Sequence, residues 1–579
     1  MLVPVLALSL AAARPDLSTT AEKTGFARTG RYDEAVRLCH DLERVHPRTA
    51  RCFTYGTTPE GRDLVALAVS ADGVVRPLQA RAKDRPVILL QGGIHAGEID
   101  GKDAGFMLLR DLLATAGGGP LAKVTAVFVP VVNPDGHERF GPNQRPNQRG
   151  PAETGWRTTA QNLNMNRDYA KADAPETRAL LALLSEWDPI VYADLHVTDG
   201  ARFEHDVAVL VEPKLGYDPS LRAEGAAMSD ALLARLEQDG HLPLDFYPSF
   251  VRDGDPESGF QRRPPPPRFA HGYWAARNRF GILLETHSWR AYRERVKATV
   301  DFCRALLELG AERGAAWRAA AARADRAAPS LAGKEVALDS APEGPPRTIR
   351  FRGYAWERAD SPALGRPVVS YDEGRPAIWD VPLLERQRPS ATAVLPRGGW
   401  IVPAAWAPRV ADRLRLHGVL FSRLEGGRPG ADVEVFRATE AKLAPASFEG
   451  RQTLTVKGAW AREKRDLAPG ALFVPAAQAR ALLAAHLLEP AGPDSFLAWG
   501  DFNAAFEKKE YVEDYVLEPF ARELLDKDPA VRAELERRIA EDPSFAKDPQ
   551  ARLEFFGARH PSSDDAYRLY PVVRADARP

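Results

Sequence analysis

Four apolar runs of β-strand character in the first half of the chain stop abruptly at residues able to bind a metal, move a proton or hold a ligand. RPVILLQGGI runs into His95-Ala-Gly-Glu98, AVFVPVV into Asn133-Pro-Asp-Gly136, DPIVYADL into His196 and FGILL into Glu285. Helical patterns separate these runs. Strands alternating with helices predict an α/β domain whose central mixed, mostly parallel sheet carries helices on both faces. In such sheets ligands bind in the crevice beyond the carboxyl ends of the strands, so residues from 95 to 285 are expected to converge.

His95 and Glu98 follow a buried strand and a Gly-Gly turn. Their spacing alone selects nothing, because His40 and Glu43 satisfy it within EAVRLCHDLERVH, which reads as a solvated helix face. Three cysteines are too few for a Cys-rich zinc module, so a metal here must use His and carboxylate. Zinc in hydrolytic sites takes three such ligands and keeps a position for water, and His95, Glu98 and His196 would fill that set. Asp194 and Asp199 flank the second histidine. Glu285 ends an apolar strand, a setting that raises a carboxylate pKa while a nearby cation lowers it, which makes it the candidate base. Its competing role is a structural ion pair with Arg277 or Arg279. The segment from Gly155 to Tyr169 supplies guanidinium groups able to grip a carboxylate or stabilise an oxyanion.

Taken in order, HAGE at His95, NPDG at Asn133, Trp156-Arg157, Asn166-Arg167, DLH ending at His196 and LLETH with Glu285 resemble the metallocarboxypeptidases of the carboxypeptidase A type. The likeness covers about half the chain. It implies one Zn2+ per chain held by His95, Glu98 and His196, with Glu285 activating the zinc-bound water and then protonating the leaving amine. It also implies Arg157 as the oxyanion partner, and Asn166 and Arg167 as the grip on the free terminal carboxylate of a peptide or protein. The family's mobile tyrosine falls to Tyr273, with Tyr247 as the alternative. Three positions depart from the family pattern. Asn164 stands where an acid often orients the first zinc histidine, Val197 replaces a small hydroxyl residue, and Asp168 follows the Asn-Arg pair. The resemblance implies hydrolysis of C-terminal peptide bonds. The alternatives are a zinc-dependent deacylase of the aspartoacylase type and a non-catalytic peptide-binding protein of the same fold. NPDG and the Trp-Arg pair favour the peptidase, and four intact site residues disfavour the binder.

Met1 to Ala13 is apolar and ends in Ala-Ala-Ala, as a signal peptide does, predicting a secreted or periplasmic protein. No later stretch approaches the ~20 apolar residues of a membrane span. With 78 Lys+Arg against 79 Asp+Glu, general attraction to nucleic acid is not expected. The catalytic domain is expected at residues 24–331. A Pro/Gly-containing linker at 338–347, a mixed α+β accessory domain at 348–495 and a helical tail at 496–579 follow. Trp400 to Ala405 and Leu472 to Ala477 echo one another, which reads as two similar strand-to-helix units. Cys39 and Cys52 are near enough in sequence to be bridged, or equally to be two buried thiols.

Overall fold

A computed structural model describes residues 15–214 and 217–579, so the signal-like segment lies outside the described residues. Its main sheet comprises β1 (Ala50–Thr57), β2 (Asp63–Val69), β3 (Val87–Gly92), β4 (Thr125–Val129), β5 (Val191–Thr198), β6 (Val207–Glu212), β7 (Pro243–Leu244) and β8 (Phe280–His287), in the order β1-β2-β4-β3-β5-β8-β6-β7. The centre is parallel: β3 pairs with β4 and β5, and β5 with β8. Antiparallel pairs at β1–β2, β2–β4 and β8–β6 flank it. This is the mixed α/β sheet read from the strand-and-helix alternation.

Period-two alternation sends successive side chains to opposite faces. Ile88 and Leu90 therefore pack with Phe128, Ile282, Leu284, Phe302 and Trp317 on one side. Leu89 packs with Val127, Leu184, Tyr192 and Trp274 on the other. Burial on both faces explains why these strands read as continuous apolar runs. Cys39, on the helix Tyr32–Val45, forms a disulfide with Cys52 of β1. Cys303 is a buried free thiol.

A 36-residue helix, Tyr292–Ala327, closes the domain. The stretch expected to be a linker is partly a strand, since Glu335–Pro342 pairs with Gln387–Val394. Leu338 is buried there, and the Pro/Gly cluster occupies only the short connection before the next strand. A long hairpin, Arg347–Ser361 with Arg366–Leu384, follows. Its Leu383–Leu384 runs parallel to Phe260–Gln261, so strand pairing crosses between the two halves of the chain. The echoing segments form paired strands, Gly399–Val402 and Leu472–Pro475, each followed by a helix. They belong to a six-stranded sheet that also takes in Val573–Ala575 from the tail. That final strand departs from an all-helical tail, because three buried residues are too few to show a period in sequence.

Candidate active site

The parallel register of β5 and β8 sets His196 opposite Glu285. β3 ends beside them at Gly92, opposite Leu195, and the chain then turns through His95 to Glu98 before the helix Asp100–Ala114. Gly97 is required by close approach, since a Cβ there would lie 2.3 Å from the Gly155 carbonyl oxygen. The ligand atoms of His95, Glu98 and His196 all lie within 4.8 Å of one another, and all three side chains are buried. His95 Nδ1 is 2.8 Å from Glu98 Oε1, and His196 Nδ1 is 2.9 Å from Glu98 Oε2.

The outer ring nitrogens show whether this set suits a cation. His95 Nε2 faces Asn164 Oδ1 at 3.3 Å, which places the ring proton there and leaves the Nδ1 lone pair pointing inward. His196 Nε2 lies 2.8 Å from Asp194 Oδ2, a close ionic approach outside hydrogen-bond angles. Burial lowers His95 to about 4 despite Glu98. At His196 burial is outweighed by Asp194 and Glu98, which hold its pKa well above the usual value. Both Nδ1 atoms face the Glu98 carboxylate, and two imidazoles with one carboxylate match a zinc donor set.

Glu285 Oε2 is buried and has no hydrogen-bond partner among the described residues. Burial, reinforced by Glu98 and Asp194 and opposed by His196, pushes this carboxyl up to about 8. Neither arginine considered as its partner reaches it. Arg277 donates to Tyr273 Oη and the His417 carbonyl, and Arg279 pairs with Asp188 and Asp325.

A cavity of about 910 Å³ opens over these groups and is lined by His95, Glu98, Glu285, Arg157, Asn166 and Arg167. Arg167 donates to the Asn166 carbonyl at 2.6 Å and lies over the Phe269 ring. Burial, with Arg157 nearby, lowers its pKa. The structure separates the two tyrosines. Tyr273 is fully buried away from the cavity, its hydroxyl 3.0 Å from His417 Nδ1. Tyr247 lines the cavity instead, held at 3.1 Å by the Thr198 hydroxyl.

NPDG does structural work. Asn133 caps the short helix Pro134–Glu138 by accepting from Gly136 N. Asp135 accepts from the Thr58 hydroxyl, Glu60 N and Arg62, fixing the β1–β2 connection. Arg145 was not legible in sequence: it reaches Glu98 Oε1 at 2.6 Å from the loop QRPNQR, which has no periodicity to mark it.

Residues 35–206 match the family model described as zinc carboxypeptidase. Over that span the chain is similar to the zinc carboxypeptidases. It is 22% identical over 458 residues to "Carboxypeptidase 2" of Trichophyton rubrum, covering 76% of this chain and 78% of that protein. "Carboxypeptidase D" of Drosophila melanogaster is 25% identical over 199 residues, 31% of this chain and 14% of that one. A metallo-carboxypeptidase structure from Burkholderia cenocepacia aligns at 16% identity and a TM-score of 0.35, covering 48% of this chain and 68% of that one. The matched family implies zinc, and His95, Glu98 and His196 form a cluster that fits that ion.

Proposed function

We propose that the protein hydrolyses the last peptide bond of peptides or proteins, with one zinc ion held by His95, Glu98 and His196. Bound there, zinc supplies Lewis acidity, polarising a carbonyl and making water more acidic. Glu285 lines the cavity, and its buried Oε2 has no hydrogen-bond partner among the described residues. It takes the proton of the attacking water and delivers it to the departing amine nitrogen as the C–N bond breaks. Arg157 stands ready as a fixed positive group for the oxyanion that develops on the substrate carbonyl. Asn166 and Arg167 hold the substrate's terminal carboxylate, the fork of Arg167 donating to both oxygens. Of the two candidate tyrosines, Tyr247 lines the cavity wall, whereas Tyr273 is buried with its hydroxyl against His417.

The observation that carries this reading is the cluster of His95, Glu98 and His196 beside a cavity lined by Arg167 and by Glu285, whose Oε2 has no partner among the described residues. The test is a panel of blocked dipeptides with free or amidated C-termini, assayed with the zinc-loaded protein. Cleavage is expected only with the free carboxylate. Equal cleavage of both forms removes the carboxylate grip, and activity confined to N-acyl amino acids assigns a deacylase instead. Export accompanies this function. The Cys39–Cys52 bridge supports an oxidising compartment, and among the described residues no helix is long and apolar enough to cross a membrane.

A further inference from the structure

Asn164 is a neutral amide at the outer nitrogen of His95. Its Oδ1 accepts from His95 Nε2 at 3.3 Å and from Asn166 N at 3.1 Å, which fixes the orientation of the amide. The amide nitrogen then points the opposite way and donates to Glu449 Oε1 at 3.2 Å. Glu449 lies 285 residues further along the chain, between the strands Arg428–Leu443 and Leu454–Leu467.

The backbone carrying this carboxylate is built for the position. Phe448 and Arg451 exchange backbone hydrogen bonds across Glu449-Gly450, and both central residues have positive φ, 50° and 76°. That is the two-residue turn in which Asn, Asp or Gly is favoured at the first place, so a glutamate there carries a conformational cost. Gly450 meets the second demand, for a Cβ there would come within 3.2 Å of Leu163. Contacts on either side pin the turn. Arg451 Nε donates to Asp173 at 2.8 Å, its Nη1 to Asp501 at 3.1 Å, and the Phe448 ring stacks on Trp499.

We propose that Glu449 is a positioning residue for His95, acting through Asn164, so that the C-terminal region completes the hydrogen-bonded surround of the metal centre. The inference rests on the zinc reading of His95, Glu98 and His196. A carboxylate behind a metal-bound histidine fixes the ring tautomer and raises ligand basicity. Here the charge sits one hydrogen bond further out, and the amide dipole between the two groups passes its polarisation on to the ring.

The test measures zinc affinity of the full-length protein by competition with a chromophoric chelator, without substrate. Glu449→Gln keeps shape and removes charge, and it is expected to weaken zinc binding roughly three- to tenfold, below the range for direct partners of a ligating histidine. Asn164→Asp alone sets two carboxylates against each other and is expected to bind no better than wild type. Asn164→Asp combined with Glu449→Gln restores one carboxylate beside the ring and is expected to recover wild-type affinity, a rescue that a merely structural contact would not produce. Tight zinc binding by wild type with Glu449→Gln within twofold of it overturns the relay alone, as does a double variant no tighter than Glu449→Gln. A wild-type protein without zinc affinity overturns the metal centre and the relay together.

Discussion

Glu285 is the side chain on which the proposed chemistry turns, because its Oε2 is buried without a partner among the described residues and its strand sets it opposite His196. Glu285→Gln is expected to retain zinc and lose turnover by about 10³-fold or more, since taking and returning the proton both vanish. Metal analysis beside steady-state rates checks this, and near-normal turnover would remove Glu285 from the mechanism. Its place was legible because an apolar strand ending in a lone carboxylate is rare without a purpose. His95 and His196 could be picked out because each likewise stands where an apolar strand run stops. Tyr273 misled because nearness to Glu285 in sequence says nothing about direction: the helix Ala270–Ala276 turns that ring toward His417. Tyr247 and Glu449 depend on loop paths, and loop paths leave no period to read.

At the scale of elements, a titratable link joins the packed helices Pro219–Gln238 and Tyr292–Ala327 near the start of β6. His241 follows the helix Pro219–Gln238 and lies between Asp206, just before β6, and Asp301 of the helix Tyr292–Ala327, at 2.6 and 3.0 Å. Hydrogen bonds to Asp206 and Asp301 outweigh burial and the nearby Lys297, raising its pKa to about 9. A raised folded pKa means that this stabilisation is complete below the unfolded value near 6.5 and is lost as pH rises through about 9. Unfolding free energy is expected to fall by about 1 to 2 kcal/mol across that window, after discounting for the part-exposed aspartates. His241→Gln should flatten the dependence in denaturant titrations at about pH 6 and about pH 9.5, and an unchanged slope would assign it to other groups. The strands of the main sheet were readable from their apolar runs. The two-residue strand Phe260–Gln261 was not, since its partner is the distant Leu383–Leu384 and pairing, unlike periodicity, is not written locally.

Across the whole molecule, the two halves that sequence separates near residue 331 share one core. Tyr192 and Trp274 of the first half lie in the same apolar cluster as Leu338, Trp400, Leu483 and Tyr570 of the second. Polar links cross it as well: Tyr273 to His417 at 3.0 Å, Arg413 to the Lys171 carbonyl at 2.8 Å, and Arg268 to buried Asp494 at 2.7 Å. A Pro/Gly-rich stretch marks where a chain bends, and it carries no information about what lies across the bend. Cutting the chain after Leu331 would bare Trp274 and its neighbours to water. It would also take Asp494 from Arg268 and both Arg413 and Arg451 from Asp173, each loss costing roughly 1 to 3 kcal/mol beyond the apolar surface exposed. That sum is comparable to the whole stability of an ordinary domain. The full-length protein is therefore expected to melt in calorimetry with the main sheet and the six-stranded sheet in one cooperative transition. A chain ending at Leu331 is expected to show no cooperative transition and to aggregate. A soluble fragment melting at the full-length temperature would make the second half a passenger, and the carboxylate it brings to Asn164 would then be dispensable for the fold though not for the metal.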